Sequence, residues 1–205
     1  MRLGVLISGS GRTLKNLIER IGDGRLPEVA IQVVVSSKAG VAGIDIARGA
    51  GIPVAVVERA KTRTDSAFSR AVTRELVERD VELVVMAGLI HRWEFPPEFQ
   101  GRVLNIHPAL LPKFGGKGLY GHRVHEAVLA AGERESGCTV HFADHEYDHG
   151  PVILQLRVPV RPGDDPETLA ARVFEAELQA YPEAIHRVAS GQIRLIRGRI
   201  VPGSK

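Results

Sequence analysis

The stretch Leu3-Gly-Val-Leu-Ile-Ser-Gly-Ser-Gly-Arg-Thr-Leu14 passes from an apolar run into a glycine loop, after which Leu14, Leu17, Ile18 and Ile21 recur at helical spacing. Strand, glycine loop and helix in that order open an α/β unit. The alternation continues down the chain. Ala30 to Val35 reads as a strand, Val41 to Ala50 as a helix ending at Gly51, and Val54 to Val57 as a third strand. Asp65 to Arg79 carries Phe68, Val72, Leu76 and Val77 among charges, an amphipathic helix, before strands at Leu83 to Met86 and Val103 to His107. Strands of continuous Val, Ile and Leu separated by helices predict a mostly parallel, doubly wound, Rossmann-like sheet covered on both faces.

Further on the pattern changes. A short helix at His122 to Ala131 leads to strands at Cys138 to Ala143 and Val152 to Val160, separated by the polar turn Asp144 to Gly150. These two strands pair antiparallel in this reading and extend the sheet in its C-terminal part. Asp165 caps a last helix with Pro166 as its first residue, running to about Ser190 with a disturbance at Pro182. No repeat, low-complexity segment or linker divides the chain, so residues 1–205 are expected to form one domain, with a phosphate-binding half over 1–100 and a catalytic half over 101–205.

Composition bounds the function. With 44% hydrophobic and 25% charged residues the chain has an ordinary globular balance, and it shows neither a basic leader followed by an apolar run nor an apolar stretch near membrane-spanning length. The expectation is a cytoplasmic protein with no membrane partner. A net charge of +3 suits an anionic small molecule and is modest for nucleic acid. Arg194, Arg197 and Arg199 alternate with apolar residues and read as a late edge strand with solvated arginines. The single cysteine, Cys138, excludes an internal disulfide and reads as a small core residue.

Several motifs are candidates for chemistry. In Ser8-Gly-Ser-Gly-Arg-Thr13, backbone N–H groups and the helix dipole form a phosphate site, with Arg12 and Thr13 adding a charge and a hydroxyl; a plain tight turn is the alternative. The loop lacks the dinucleotide and Walker spacings. At the end of the fifth strand, Asn105 and His107 stand two apart on one side, followed by Pro108 and Pro112, which stiffen the loop. Strand carboxyl ends are where open α/β sheets bind ligands. His141, His145 and His149 have metal-like spacing only if helical, and this region reads as strand and turn. Asp148 beside its glycine turn is a candidate partner for His107. Glu177 continues the stripe Leu169, Val173 on the last helix, either snorkelling to solvent or facing a cleft to receive an amine. Beyond Ala87-Gly88, the residues Leu89, Ile90 and Trp93 form an apolar lip for a flat heteroaromatic ligand, or core. Phe114 to Gly121 holds four glycines in eight residues and is expected to be an exposed, mobile loop that closes on ligand.

Together, Leu6-Ile-Ser-Gly-Ser-Gly11, Ala87-Gly88, Asn105-Ile-His-Pro-Ala-Leu-Leu-Pro112 and Asp148-His-Gly-Pro-Val-Ile153 resemble the glycinamide ribonucleotide formyltransferase family of folate-dependent enzymes, over nearly the whole chain. The resemblance implies transfer of a formyl group from 10-formyltetrahydrofolate to the amine of glycinamide ribonucleotide in purine synthesis, through a tetrahedral intermediate and without a metal. It implies Asn105, His107 and Asp148 as the catalytic residues, with Asn105 and a protonated His107 donating to the developing oxyanion. Gly11, Arg12 and Thr13 would hold the substrate phosphate and Glu177 the amine. Leu89, Ile90, Asn105, Ala143, Asp144 and Tyr147 would contact the folate. Partners would be these small molecules only, for a monomer or homodimer.

Three rivals remain at this point. Methionyl-tRNA formyltransferase would need a basic C-terminal domain and formyltetrahydrofolate hydrolase an N-terminal regulatory one, for which 205 residues leave no room. A non-catalytic nucleotide-binding module explains the glycine loop but not Asn105, His107 and Asp148 together. A metal hydrolase built on His141, His145 and His149 is the third.

Overall fold

The computed structural model describes residues 1–203. The chain divides into two compact units, Met1–Leu104 and a second beginning at Asn105, where the sequence reading draws the line at residue 100. Strand order in the main sheet is β3-β2-β1-β4-β5-β6-β7, and β5 (Val103–His107) begins in the first unit and ends in the second.

In the first unit, β1 (Arg2–Ile7) pairs parallel with both β2 (Ala30–Ser36) and β4 (Leu83–Met86), and β2 pairs parallel with β3 (Val54–Val56). Leu3, Val5, Leu6, Ile7, Val33, Val34, Val84 and Val85 are buried because helices cover both faces, which is why these strands read as unbroken apolar runs. Helix α1 (Arg12–Gly22) buries Leu14 and Leu17, α2 (Ala42–Gly49) buries Ile44 and Ala47, and α3 (Asp65–Val77) buries Phe68, Val72 and Leu76. Thr64 caps α3 by accepting from the Ala67 N–H. Val77 departs from the expected stripe and is 52% exposed at the helix end.

The apolar lip needs a correction at Trp93. Its ring is buried against Phe95 and Phe99, with centroids at 5.4 and 5.6 Å, and its Nε1–H reaches Thr73 Oγ1 at 3.2 Å. Burial of a large aromatic with its one donor satisfied wins over exposure here. Leu89 is half-buried and Ile90 exposed.

In the second unit, α4 (His122–Ala130) leads to β6 (Glu135–Phe142), which pairs antiparallel with β7 (Val152–Pro159). Strand β6 starts earlier than the sequence reading because Gly137 continues the ladder opposite Arg157. Asp165 and Thr168 form a reciprocal capping box at the start of α5 (Pro166–Ala189). That helix runs unbroken through Pro182. A mid-helix proline costs about 3 kcal/mol, and burial of Tyr181, Ala184 and Ile185 around it, at about 1.5–3 kcal/mol for a large side chain, outweighs the cost. The C-terminal arginines lie in a separate hairpin, β8 (Ile193–Ile196) and β9 (Arg199–Pro202), turned by Arg197 and Gly198 with positive φ, not on an edge of the main sheet. No described helix is long and apolar enough to cross a membrane.

His125 lies buried on α4, and its Nδ1 has no hydrogen-bond partner among the described residues. Burial, reinforced by the neighbouring His122 and His107, pushes its pKa down to about 4 from an ordinary 6.5. The unfolded chain therefore binds the extra proton first, so the stability carried by this neutral ring is complete above about 6.5 and lost as pH falls toward 4. Thermal unfolding at pH 7 and pH 4.5 should show a smaller drop in Tm for His125→Leu than for the unaltered chain.

Candidate active site

Strand β5 delivers Asn105 and His107 to its carboxyl end, and their side chains meet one carboxylate. Asn105 Nδ2 donates to Asp148 Oδ1 at 3.3 Å, and His107 Nδ1 lies 3.4 Å from Asp148 Oδ2. The Gly116 N–H donates to Asp148 Oδ2 at 3.0 Å. On its other side the His107 ring donates from Nε2 to the Phe114 carbonyl at 2.8 Å, which fixes one proton on Nε2 and leaves Nδ1 as the position that titrates toward Asp148.

Both charges are shaped by burial. Burial lowers the His107 pKa below the ordinary 6.5, opposed by Asp148 and the Phe114 carbonyl. The lowered pKa favours the neutral imidazole in the ligand-free site. For Asp148, burial raises the carboxyl pKa, but the neighbouring His141 and His107 rings and the hydrogen bond from the Gly116 N–H together hold it below the ordinary carboxylate value. Asp148 also takes a left-handed backbone, φ 55°, which aims its side chain inward.

His141 completes the cluster. It is 1% exposed, its Nδ1–H donates to the Phe142 carbonyl at 2.9 Å, and its Nε2 accepts from Asn105 Nδ2 at 3.2 Å. The two Asn105 N–H groups are thus shared between His141 and Asp148, which fixes the amide plane. Sequence reasoning weighed His141 only as a metal ligand. The metal-like trio is not assembled: His149 turns instead to Asp144. Among the described residues no group of three His, Cys, Asp or Glu side chains is placed to hold a metal ion.

The loop after His107 is stiff for a reason beyond its prolines. Thr139 Oγ1 donates to the Ala109 carbonyl at 2.6 Å and accepts from the Leu111 N–H and Gln155 Nε2, while Gln155 Nε2 also reaches the Leu111 carbonyl. Thr139 and Gln155 are direct partners across β6 and β7, and two polar residues opposed in otherwise apolar strands were the signal that could have found them. Phe114 to Gly121 is only partly the exposed loop expected: Phe114 to Gly116 are half-buried and tied to His107 and Asp148, and the exposed part starts at Lys117.

Other candidates lie as follows. Gly11, with φ 72°, is the N-cap of α1 and offers no side-chain cap, so the first-turn N–H groups of Arg12, Thr13 and Leu14 carry the positive helix end. Its left-handed turn sits against α2, where Gly43 N–H donates to the Gly9 carbonyl; a Cβ at either Gly11 or Gly43 would collide with the other segment. Ser8 Oγ accepts from the Ile90 N–H at 3.1 Å and meets Ser37 Oγ at 2.6 Å, bracing the exposed Ile90. A cleft in the same unit is lined by Lys38, Glu58, Arg59 and His91 among others. Glu177 is half-buried on α5, close enough to Cys138 to add to the burial that pushes its thiol up to about 12. Cys138 is core, as read. Ala143 is buried and Tyr147 is 47% exposed. Asp144 uses its carboxylate within its own loop, accepting from the Glu146 N–H and from His149 Nδ1, both at 2.8 Å.

Residues 1–185 match the family described as formyl transferase. The chain belongs to the formyl transferase family. Among formyl transferase relatives, it is 38% identical over 196 residues to the chloroplastic phosphoribosylglycinamide formyltransferase of Arabidopsis thaliana, covering 94% of this chain and 67% of that one. It is 42% identical over 198 residues to the trifunctional purine biosynthetic protein adenosine-3 of Drosophila pseudoobscura pseudoobscura; this match spans 95% of the chain but only 14% of the fly protein. The crystal structure of glycinamide ribonucleotide transformylase 1 from Symbiobacterium toebii superposes with a TM-score of 0.91 at 37% identity, covering all of this chain and 94% of the other.

Thr139→Val should remove the hydroxyl hub and strand the buried Leu111 N–H, destabilising the protein by about 1–3 kcal/mol in denaturant unfolding. Lys113→Ala, which deletes only the exposed pair with Glu133, should stay within about 0.5 kcal/mol.

Proposed function

We propose that the protein transfers the formyl group of 10-formyltetrahydrofolate to the amine of glycinamide ribonucleotide, in the cytoplasm and with small molecules as its partners. The observation that carries this reading is one ionised carboxylate, Asp148, shared by an amide donor and a neutral imidazole, in a chain of the formyl transferase family. Relatives named for this reaction support the choice of acceptor.

The folate supplies an activated formyl carbon. As the acceptor amine attacks it, negative charge gathers on the formyl oxygen, and the Asn105 amide is the preset donor for that charge. One such donor is typically worth about 3–4 kcal/mol. The attacking nitrogen must lose a proton. His107 Nδ1, unprotonated at rest and facing Asp148, accepts it, and Asp148 stabilises the resulting imidazolium. That proton then passes to the departing folate nitrogen as its bond to the formyl carbon breaks, so the residues return to their starting state. While the carboxylate is balanced by a charged His107, its hold on Asn105 weakens, and the amide is released toward the oxygen.

Outside this centre the assignments follow the chemistry of each group. The α1 N-terminus at Gly11, Arg12 and Thr13, with its helix dipole and a glycine as cap residue, suits a phosphate monoester. Glu177 supplies a carboxylate for the amine. For the folate, the exposed Ile90 and half-buried Leu89 of the first unit offer apolar contacts, and in the second unit the loop carrying Ala143, Asp144 and Tyr147 offers its own. Since the Asp144 carboxylate is occupied within its loop, its contact with the folate falls to the backbone.

In a transfer assay offering water, glycinamide ribonucleotide and initiator tRNA as competing acceptors, formyl should appear on the ribonucleotide; its appearance only on water or tRNA rejects the assignment. His107→Ala and Asp148→Asn should each slow turnover by orders of magnitude. The pH profile of kcat/KM should rise through a midpoint below 6.5, because protonation of His107 removes the acceptor. Asp148→Asn should move that midpoint lower still, since Asp148 raises the ring's affinity for protons.

A further inference from the structure

The loop between β6 and β7 contains two carboxylates with different tasks. Asp148 faces inward to Asn105 and His107, while Asp144 stays within the loop, and its two oxygens bind on either side of Asp148: Oδ1 to the Glu146 N–H and Oδ2 to His149 Nδ1, each at 2.8 Å. Between those two anchors lie only Tyr147 and Asp148, and Asp148 is the residue with φ 55°. A left-handed conformation at a non-glycine residue persists only where its surroundings hold it. On the far side of His149, Gly150 is pressed against the Phe142 carbonyl, and the Phe142 N–H donates to Pro151, so the backbone is fixed there as well.

We propose that Asp144 and His149 form a clip that holds Asp148 in its left-handed conformation, and that His149 is thereby a positioning residue for the catalytic carboxylate. The role rests on the reading of Asp148 as the partner of His107. It does not require His149 to touch a ligand, and its ring is exposed, 65% of the side chain facing solvent. The exposed position also means that replacing it leaves the core intact. Asp144, by its hydrogen bond and charge, and Glu146 raise the His149 pKa above its ordinary value, which favours the protonated ring that donates to Asp144.

The His107 ring reports the outcome without any substrate, because burial lowers its proton affinity and the Asp148 carboxylate, 3.4 Å away, raises it. The experiment is an NMR titration of the ring in the ligand-free, full-length protein. Asp148→Asn should lower the His107 midpoint, and His149→Ala should lower it in the same direction by about half a unit, roughly threefold in the protonation constant. Removing the positive charge of His149 would by itself raise that midpoint, so a fall can come only from a displaced carboxylate. His149→Asn, whose side-chain N–H can replace Nδ1–H, loses the charge but keeps the clip, so the His107 midpoint should not fall, and kcat should stay near that of the unaltered protein in the transfer assay while His149→Ala loses it.

An unchanged midpoint in His149→Ala, with Asp148→Asn shifted, overturns the clip and leaves the site intact. An equal fall in His149→Ala and His149→Asn also overturns it. An unchanged midpoint in Asp148→Asn overturns both the clip and the pairing of Asp148 with His107, whereas failure of formyl transfer by the unaltered protein bears on the proposed reaction.

Discussion

Asp148 has to remain ionised with only a tenth of its side chain exposed, and much of the second unit is organised around that requirement. An unpaired buried carboxylate would protonate or pull its loop outward, because the cost of desolvating a charge is several kcal/mol. Three kinds of donor offset this: an amide from β5, a backbone N–H from Gly116, and an imidazole that can take a second proton. Each has a support of its own. The Asn105 amide is set by His141, the His107 ring by the Phe114 carbonyl, and the approach of Gly115 is close enough that a side chain there would strike Leu111 and crowd Asp148. Each group of the polar cluster is therefore held from at least one side, which is how buried polar networks are kept to a single geometry.

The first unit meets a different demand. Its glycine loop ends in Gly11, an N-cap without a side chain, and is backed by α2 through the Gly11 and Gly43 contact. Small residues at both positions let two helices begin close together, and the loop's shape is fixed by α2 as much as by α1. Ser8 links this loop to Ile90 by one hydroxyl, so the end of β1 and the segment after β4 share a brace.

Much of this was legible in the sequence because burial on both faces writes strands as apolar runs and helices as stripes, and β1 through β5 follow those patterns within a residue or two. Legibility failed where a side chain's partner lies far along the chain. Trp93 reads as exposed beside a glycine until Thr73 is known to satisfy its indole N–H. Pro182 reads as a break until the buried residues on either side are seen to hold the helix. In the site, Asn105, His107 and Asp148 could be named from residue type and spacing, but His141 could not. A strand histidine looks the same in sequence whether it fills a core or orients an amide. The direction of the His107 shift was likewise out of reach, since it depends on how deeply the ring is buried.

The hydroxyl of Thr139 gives the loop after His107 its form through partners 28 and 30 residues earlier, and Gln155 adds a contact that closes 44 residues of chain. Contacts of such sequence separation carry a large loop-closure cost and form late. During synthesis the segment from Ala109 to Leu111 leaves the ribosome well before the strand that shapes it. The residues of the first unit, Met1 to Leu104, leave the ribosome earlier still. Synthesis of the chain thus has a built-in order in which the glycine loop after β1 emerges first, and the loop after His107 finds all its partners only once Gln155 of β7 has been made.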